Sequence, residues 1–190
     1  MSSLHLGLVH YPVYNKKNEV IQTSVTNLDI HDIARSALSF GVSQYFVITP
    51  DTIQQDYVRK VKNFWLHDSG QAYNSERSRA LEIIKITDSI ESCINQITTQ
   101  EGTQPIVIST TARSMHQQVT STELGNLLNN EKSLLILFGT GYGLTDAILN
   151  SADYILEPIQ GKGEYNHLSV RSAAAIVLDR VTSAVYKGRN

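Results

Sequence analysis

The sequence predicts an α/β fold: one domain, spanning residues 1–190, with a mainly parallel central sheet flanked by helices. Short apolar runs rich in β-branched residues alternate with segments of helical periodicity, the pattern of strand–helix–strand units. The chain has 190 residues, 41% of them hydrophobic, enough to bury a full core without disulfides. The predicted buried strands are 4–9, 45–48, 83–86, 106–108, 134–138 and 154–156.

The segments between these runs carry helical patterns. In the clearest one, apolar residues recur at helical spacing after Asp29, a capping candidate, and the pattern stops at Gly41. The last predicted helix, 168–185, presents small side chains that allow another backbone to come close. The polar stretch 68–79 offers little to bury and is predicted to be a mobile loop.

Composition limits the classes of function. The formal net charge is −2, so bulk charge does not attract nucleic acid and any such binding must be local. No apolar run approaches the ~20 residues of a membrane helix, and no basic residue precedes Lys16, so we expect a cytoplasmic protein. The single cysteine, Cys93, has the spacing of an apolar helix face and is interpreted as core filler. No His pair has zinc-ligand spacing, so no metal is expected.

Residues 54–85 carry a small positive excess interleaved with aromatic residues. This is either the solvated face of an amphipathic helix or a docking surface for a polyanion. The candidate basic residues for RNA contact are Arg59, Lys60, Lys62, Arg77, Arg79, Arg113 and Arg171. Tyr73 could stack on an unpaired base, and no appended RNA-binding domain is evident.

Two strand ends have the sequence of ligand-binding loops, since ligands of open α/β sheets bind beyond the carboxyl ends of strands. After the strand 134–138 come Gly139, Gly141 and Gly143, which favour backbone approach to a ligand or a sharp turn. The spacing differs from the Rossmann fingerprint; a dinucleotide site with Glu157 as the ribose-binding acid and a purely structural turn are the alternatives.

The second strand end lies at residues 154–173. Pro158 stops the strand, two glycines loosen the loop, and Asn166 or Ser169 can cap the helix that follows. The two glycine-bearing loops could form one pocket.

These motifs resemble a known family. Phe-Gly-Thr-Gly-Tyr-Gly-Leu at 138–144, followed by Asn-His-Leu-Ser-Val-Arg-Ser-Ala-Ala-Ala-Ile-Val-Leu at 166–178, is similar to the two C-terminal motifs of the SPOUT class of AdoMet-dependent RNA methyltransferases. Asn-Leu-Asp-Ile-His-Asp-Ile-Ala-Arg at 27–35, before Gly-Val at 41–42, resembles their first motif. With Leu-Val-His-Tyr-Pro at 8–12, the chain resembles a stand-alone subgroup whose domain also occurs fused to the bacterial tRNA (guanine-N1) methyltransferase.

The resemblance implies a deep C-terminal trefoil knot, an obligate homodimer, and S-adenosyl-L-methionine (AdoMet) bound in the knot loops. Sequence rules alone treat threading as essentially absent. The glycines would line the cofactor pocket, the residues after the last strand would enclose the adenine, and the start of the last helix would close the third side. The implied cofactor-binding residues are Ser109, Thr110, Phe138, Gly139, Gly141, Gly143, Leu144, Ile155, Leu156, Pro158, Ile159, His167, Leu168, Ser169 and Ser172. His10 and Tyr11 lie at the end of the first strand, and His167 lies at the start of the last helix. For each of these histidines, a hydrogen bond to the backbone is as good an interpretation as a role in the site.

The implied catalytic residues are Arg35, Asn27 and Asp29. In the family this Arg comes from the partner protomer; because a guanidinium hardly loses a proton, we assign it acceptor positioning and electrostatic stabilisation. The alternative is an exposed ion pair with Asp32 and His31 on the same helix.

The chain departs from the family pattern twice. Residues 140–142 lack a Glu found in many ribose-methylating members, and Asp29 stands where an Asn is usual. Asp146 and Glu164 are candidate carboxylates if a base nitrogen is the acceptor. Both departures leave the target atom open. From the order of the motifs, the resemblance implies methylation of tRNA or rRNA, with the 2′-O-ribose ahead of a base nitrogen; a dinucleotide-binding oxidoreductase and a non-catalytic RNA-binding or assembly module are the alternatives.

Overall fold

A parallel sheet of seven strands forms the centre of the computed structural model, which describes residues 3–67, 69–130, 132–163 and 165–187. A separate two-stranded antiparallel hairpin is formed by β2 (Val13–Tyr14) and β3 (Val20–Ile21). The strands of the main sheet are β1 (Leu4–Val9), β4 (Gln44–Ile48), β5 (Ile84–Thr87), β6 (Ile106–Thr110), β7 (Gln118–Val119), β8 (Leu134–Gly139) and β9 (Tyr154–Leu156), in the order β5-β4-β1-β8-β6-β9-β7. All six predicted strands are confirmed, whereas the short strands β2, β3 and β7 were not predicted.

Both faces of the sheet are buried. Along β1 and β4, Leu8 and Val47 belong to one apolar cluster while Val9 and Phe46 belong to the other. Covering a parallel sheet on both faces requires near-continuous apolar strands, which explains why these runs were recognisable from the sequence.

Eight helices lie in the described residues. They are α1 (Asn27–Ser39), α2 (Thr52–His67), α3 (Ser69–Tyr73), α4 (Ser75–Glu82), α5 (Ile90–Glu101), α6 (Ser121–Asn129), α7 (Asp146–Ser151) and α8 (Val170–Lys187). Buried residues of α1, α2, α4, α6 and α8 join one apolar cluster, and those of α5 and α7 join the other. No helix in this described part is long and apolar enough to cross a membrane.

Helix α1 begins two residues earlier than its predicted cap. Thr26 is the N-cap, and its hydroxyl accepts a hydrogen bond from the Asp29 backbone N–H at 3.1 Å. The prediction that Asp29 caps the helix was wrong, because Thr26 is also a good capping residue and lies where the extended backbone ends. Gly41 follows the helix with a positive φ of 73°, as predicted.

The predicted mobile loop was also wrong in the residues that the structure shows. Residue 68 is outside the described ranges, but 69–79 fold into α3 and the start of α4, which Asn74 caps by accepting from the Arg77 N–H at 2.9 Å. The guanidinium of Arg77 lies 4.8 Å from the Trp65 ring centroid on α2. A polar segment therefore gains its burial from a neighbouring helix.

Helix α8 begins at Val170, where Ser169 caps it by accepting from the Ser172 N–H at 3.2 Å. The Ser169 cap is confirmed, and Asn166 serves the preceding loop instead. The buried Cys93 is confirmed as core filler, and burial raises the pKa of its thiol to about 12. The trefoil knot stays a prediction.

Helices α6 and α8 pack closely at Gly125. A Cβ placed there would lie 2.6 Å from the Ala184 Cβ and 2.8 Å from the Val181 carbonyl oxygen. We expect Gly125→Ala to destabilise the protein by about 1–3 kcal/mol, despite the ~1 kcal/mol that Ala gains in helix propensity. Urea unfolding checks this against Gly163→Ala, whose Cβ meets nothing within 4 Å; a Gly125→Ala protein as stable as the parent would contradict the close packing.

Candidate active site

The carboxyl ends of three neighbouring strands form one edge of the sheet. Strand β6 lies between β8 and β9, and Ser109 is in register with Leu137 on one side and Ile155 on the other. The two glycine-bearing loops that follow β8 and β9 therefore flank the end of β6. The two strands that precede the loops are separated by β6 and are not neighbours, and the prediction that the loops form one pocket stays a prediction.

The glycine turn after β8 has a structural reason for each glycine. Gly141 and Gly143 have positive φ values of 59° and 100°. A Cβ on Gly139 would lie 2.5 Å from the Leu144 backbone nitrogen, and one on Gly141 would lie 2.9 Å from the Tyr14 carbonyl oxygen. The alternative of a structural turn is therefore supported, and cofactor lining by the same backbone stays a prediction.

The β2–β3 hairpin holds this turn in place. Tyr14 donates its N–H to the Gly143 carbonyl at 3.0 Å, and the Tyr142 N–H donates to the Tyr14 carbonyl at 2.9 Å. On either side of the turn, Phe138 and Leu144 are buried in opposite apolar clusters. Only their backbones can face a ligand.

The loop after β9 has an apolar base. Leu156 and Pro158 are buried and Ile159 packs against the same cluster as Leu156, whereas Ile155 packs on the other face of the sheet. The Asn166 amide closes the loop, because its Nδ2 donates to the Ile159 carbonyl at 3.0 Å and its Oδ1 accepts from the Gly161 N–H at 3.2 Å. The structure thus separates Ile155 from the other predicted adenine contacts.

Several polar groups at this edge have no protein partner. The Ser109 hydroxyl is buried without a hydrogen bond, and the backbone N–H groups of Ile159 and Leu168 donate to no acceptor in the described ranges. By contrast, the Thr110 hydroxyl donates to the Leu137 carbonyl at 2.9 Å. The exposed His167 ring contacts Tyr165 edge-on, with centroids 5.4 Å apart, and Leu168, Ser169 and Ser172 are exposed beside it.

The predicted catalytic residues on α1 differ in exposure. Asn27 and Arg35 are exposed, and among the described residues Arg35 has no ion-pair partner. The alternative ion pair with Asp32 is not formed, because Asp32 instead contacts the Arg171 Nε at 3.4 Å. Arg35 is therefore free to contact a molecule outside its own chain.

The Asp29 carboxylate is buried, and both of its oxygens have partners within the chain. Its Oδ2 accepts from the Thr26 hydroxyl at 2.6 Å and its Oδ1 contacts the Arg171 Nη1 at 3.1 Å. These contacts favour a structural role between α1 and α8, and the predicted direct part in catalysis is untested. The ion pair explains why a carboxylate is tolerated where an Asn was expected: a cation from α8 neutralises it. In the sequence, the one indication of this ion pair is Asp29 itself, a carboxylate at a position where the family usually has an Asn.

A chain of hydrogen bonds lies at the carboxyl end of β1. His10 Nδ1 lies 3.1 Å from the Thr23 hydroxyl, which contacts the Thr140 hydroxyl, which donates to the Val9 carbonyl at 3.0 Å. Each short contact needs one proton, so Nδ1 carries the hydrogen and Nε2 is a lone-pair acceptor, which is buried without a partner. Burial lowers the pKa of His10 to about 4, and the side chain is therefore neutral at pH 7.

Of the two candidate carboxylates, the structure describes one. Asp146 pairs with the Arg113 Nη2 at 2.6 Å, with both side chains more than half exposed, and Glu164 lies outside the described residues.

The predicted basic surface is largely used within the chain. Arg59 pairs with Asp56, the Lys62 ammonium donates to the Glu82 and Ile84 carbonyls at 3.2 and 2.7 Å, and Arg77 stacks on Trp65. Lys60, Arg79 and the strongly exposed Tyr73 remain at the surface. These contacts favour the interpretation of a solvated helix face over a continuous docking surface.

The parallel sheet, with helices on both faces and loops at its carboxyl edge, places the protein in the general class of open-sheet α/β proteins, whose ligands bind at that edge. Residues 3–183 match the family model described as SAM-dependent RNA methyltransferase, and the chain belongs to this family. The predicted resemblance is confirmed, AdoMet is the family's methyl donor, and the dinucleotide-binding oxidoreductase finds no support.

Relatives agree with the assignment. The chain is 36% identical over 182 residues to an uncharacterized protein of Aquifex aeolicus, covering 95% of this chain and 89% of that protein. It is 41% identical over 179 residues to a tRNA (guanine-N(1)-)-methyltransferase of Oleidesulfovibrio alaskensis, covering 94% of this chain and 42% of that protein. The chain thus spans less than half of the length of this named relative, as predicted for a domain that also occurs fused.

Solved structures share the fold. A probable methyltransferase from Bordetella pertussis has a TM-score of 0.66 at 16% identity, covering 97% of this chain and 96% of that chain. The SpoU methyltransferase AviRb from Streptomyces viridochromogenes has a TM-score of 0.62 at 17% identity, covering 98% of this chain and 61% of that chain. At these identities the likeness concerns the fold alone.

The residues present at the edge fit AdoMet. Ile159 is half-buried and packs on the cluster that contains the buried Leu156, so the loop after β9 offers an apolar wall to an adenine ring, and the unpartnered N–H groups and the buried Ser109 hydroxyl offer polar contacts. No group of three or more potential metal ligands occurs within the described ranges; the expectation of no metal stays a prediction.

Proposed function

We propose that the protein is a homodimeric enzyme that methylates the 2′-hydroxyl of a nucleotide in tRNA or rRNA. Supporting this most directly is the placement of the carboxyl ends of β6, β8 and β9 side by side at one edge of the sheet. That edge combines an apolar wall with unpartnered polar groups in a family of RNA methyltransferases. A base nitrogen is the second choice of acceptor.

The residues at this edge would bind and orient the cofactor. The wall of Leu156, Pro158 and Ile159 would enclose the adenine, and the Gly139–Gly143 turn, fixed by the hairpin, would keep its backbone rigid beside it. When bound, AdoMet supplies a methyl group that is already activated as a sulfonium. The chain's own contribution is therefore alignment of acceptor and donor, together with placement of the acceptor's proton.

Arg35 would bind the acceptor nucleotide of the partner subunit. It lies about 9 Å along α1 from Asp29, the residue that touches α8, at a rise of ~1.5 Å per residue. Apolar side chains are exposed near the starts of both helices, at Leu28, Tyr165 and Leu168, and a dimer would bury them. A permanently charged guanidinium would hold phosphate and stabilise developing charge.

One contact supports the ribose as the acceptor. The Asp146 carboxylate is paired with Arg113 and is not free to face a base nitrogen. The non-catalytic RNA-binding module differs in one result: it predicts RNA binding that weakens with salt but no methyl incorporation from labelled AdoMet into total tRNA or rRNA.

We expect AdoMet to stabilise the protein against heat. At about 100 times Kd a ligand that binds only the native state adds ~2.7 kcal/mol, which for a chain of this size corresponds to a rise in Tm of about 5–10 °C. A thermal shift assay with AdoMet and, in parallel, NAD measures this. Stabilisation by NAD alone, or no shift with AdoMet, would overturn the cofactor site.

A further inference from the structure

Arg171 joins the starts of two helices that carry different halves of the proposed site. Its Nη1 contacts the Asp29 Oδ1 at 3.1 Å and its Nε contacts the Asp32 Oδ2 at 3.4 Å. The Asp29 side chain is 7% exposed, that of Arg171 31% and that of Asp32 51%. One guanidinium therefore spans a buried and an exposed carboxylate on α1.

The electrostatics make this contact obligatory. A buried carboxylate is strongly unfavourable without a compensating cation, and Arg171 is the only cation that contacts Asp29 among the described residues. The guanidinium is planar and its nitrogens diverge, so it fixes the relative orientation of two carboxylates in a way that a lysine ammonium does not.

Arg171 lies in the sequence next to the proposed cofactor loop. It occupies the first turn of α8, shortly after Pro158 and Ile159 of the apolar wall and three residues after Leu168, whose N–H is unpartnered. Its partners occupy the first two turns of α1, between Asn27 and Arg35. The ion pairs thus link the end of the cofactor loop to the helix that carries the acceptor residues.

We propose that Arg171 is a positioning residue that couples AdoMet binding to the ordering of the start of α1, and so to binding of the acceptor RNA. This inference rests on the proposed function. AdoMet would order residues 157–163 and 165–169 and the first turn of α8, and Arg171 would transmit that order to Asp29 and Asp32. By linkage, RNA bound against α1 would raise the affinity for AdoMet by the same factor.

Amide hydrogen exchange with and without AdoMet tests the coupling without any RNA. In the parent protein we expect AdoMet to slow exchange at least tenfold both in 157–169 and in residues 28–34 of α1. In Arg171→Gln the slowing should persist in 157–169 and disappear in α1. Arg171→Lys should restore only part of it, because one ammonium does not span both carboxylates.

Two further variants keep the test decisive. Asp29→Asn/Arg171→Gln removes both charges, so it stays measurable if Arg171→Gln alone does not fold, and it should lose the α1 protection. Arg180→Gln, an exposed residue of the same helix, should behave as the parent.

The outcomes separate the two proposals. No protection of 157–169 by AdoMet in the parent would contradict the cofactor site. Protection of α1 that survives in Arg171→Gln and in the double variant would overturn the coupling while leaving the cofactor site intact. As a second readout, Kd for S-adenosylhomocysteine should fall several-fold when saturating total tRNA is added to the parent and stay constant in the double variant.

Discussion

Replacing Arg35 by alanine is expected to lower kcat for methyl transfer about a hundredfold while leaving the affinity for AdoMet within twofold. Loss of one positioned donor to a developing charge typically has an effect of this size. AdoMet affinity should be spared because Arg35 is exposed on α1 and makes no contact with the strand ends of its own chain among the described residues. Methyl incorporation from labelled AdoMet, with a separate measurement of AdoMet binding, gives the two quantities.

A matched control is available in Arg79→Ala, which removes an exposed arginine from α4. Mixing Arg35→Ala subunits with subunits defective in AdoMet binding tests the origin of the guanidinium. If the partner subunit supplies it, a mixed dimer has one intact site and regains part of the activity. Unchanged turnover in Arg35→Ala would contradict this role of Arg35, absence of methyl incorporation in the parent itself would favour the non-catalytic module, and a monomer in solution would exclude supply from a partner.

Acid should destabilise the protein through His10. Burial holds the pKa of His10 near 4, against an ordinary value of 6.5, so the unfolded chain binds a proton in a pH range where the folded chain does not. The stabilisation is complete above pH 6.5, declines as pH falls, and is lost at about pH 4. The difference amounts to ~3 kcal/mol in the free energy of unfolding, of which about 2 kcal/mol is lost by pH 5.

The measurement is urea unfolding between pH 7.5 and pH 4.5 in the parent and in His10→Gln, whose amide can still contact Thr23. His5 and Glu101 contribute pH dependence of their own, so the informative quantity is the difference in slope between the two proteins. His167→Gln, which replaces an exposed imidazole, should keep the parent slope. Equal slopes in His10→Gln and the parent would show that His10 titrates normally.

Local sequence explains only part of the glycine motif. Three alternate glycines correctly indicated an unusual backbone after a buried strand, since positive φ is a local property of the chain. The reason that Gly141 must lack a side chain is the Tyr14 carbonyl of a hairpin more than 120 residues earlier. That hairpin consists of two-residue strands, too short to produce a periodic signal.

The same distinction applies to charged residues. Arg35 has an acid one helical turn before it in the sequence whereas Arg171 has none nearby, and the spacing of Arg35 to Asp32 predicted the ion pair that is absent. The carboxylate pairs with Arg171 instead, because packing of α8 against α1 brings a cation from 139 residues away. Sequence spacing identifies which partners are possible on one helix, and the helix–helix contact selects among them.

By itself, the sequence determined the α/β class, the six predicted strands, the unusual backbone of the glycine turn after β8 and, through its motifs, the methyltransferase family. These features depend on apolar periodicity and on backbone preferences, which act over a few residues. Tertiary structure alone decided the helical fold of 69–79, the hairpin behind the glycine turn, the neutral state of His10 with its unpartnered Nε2, and the link from Arg171 to α1. Each of these depends on burial or pairing between segments far apart in the chain, and the free energy of such contacts exists only once the segments have met.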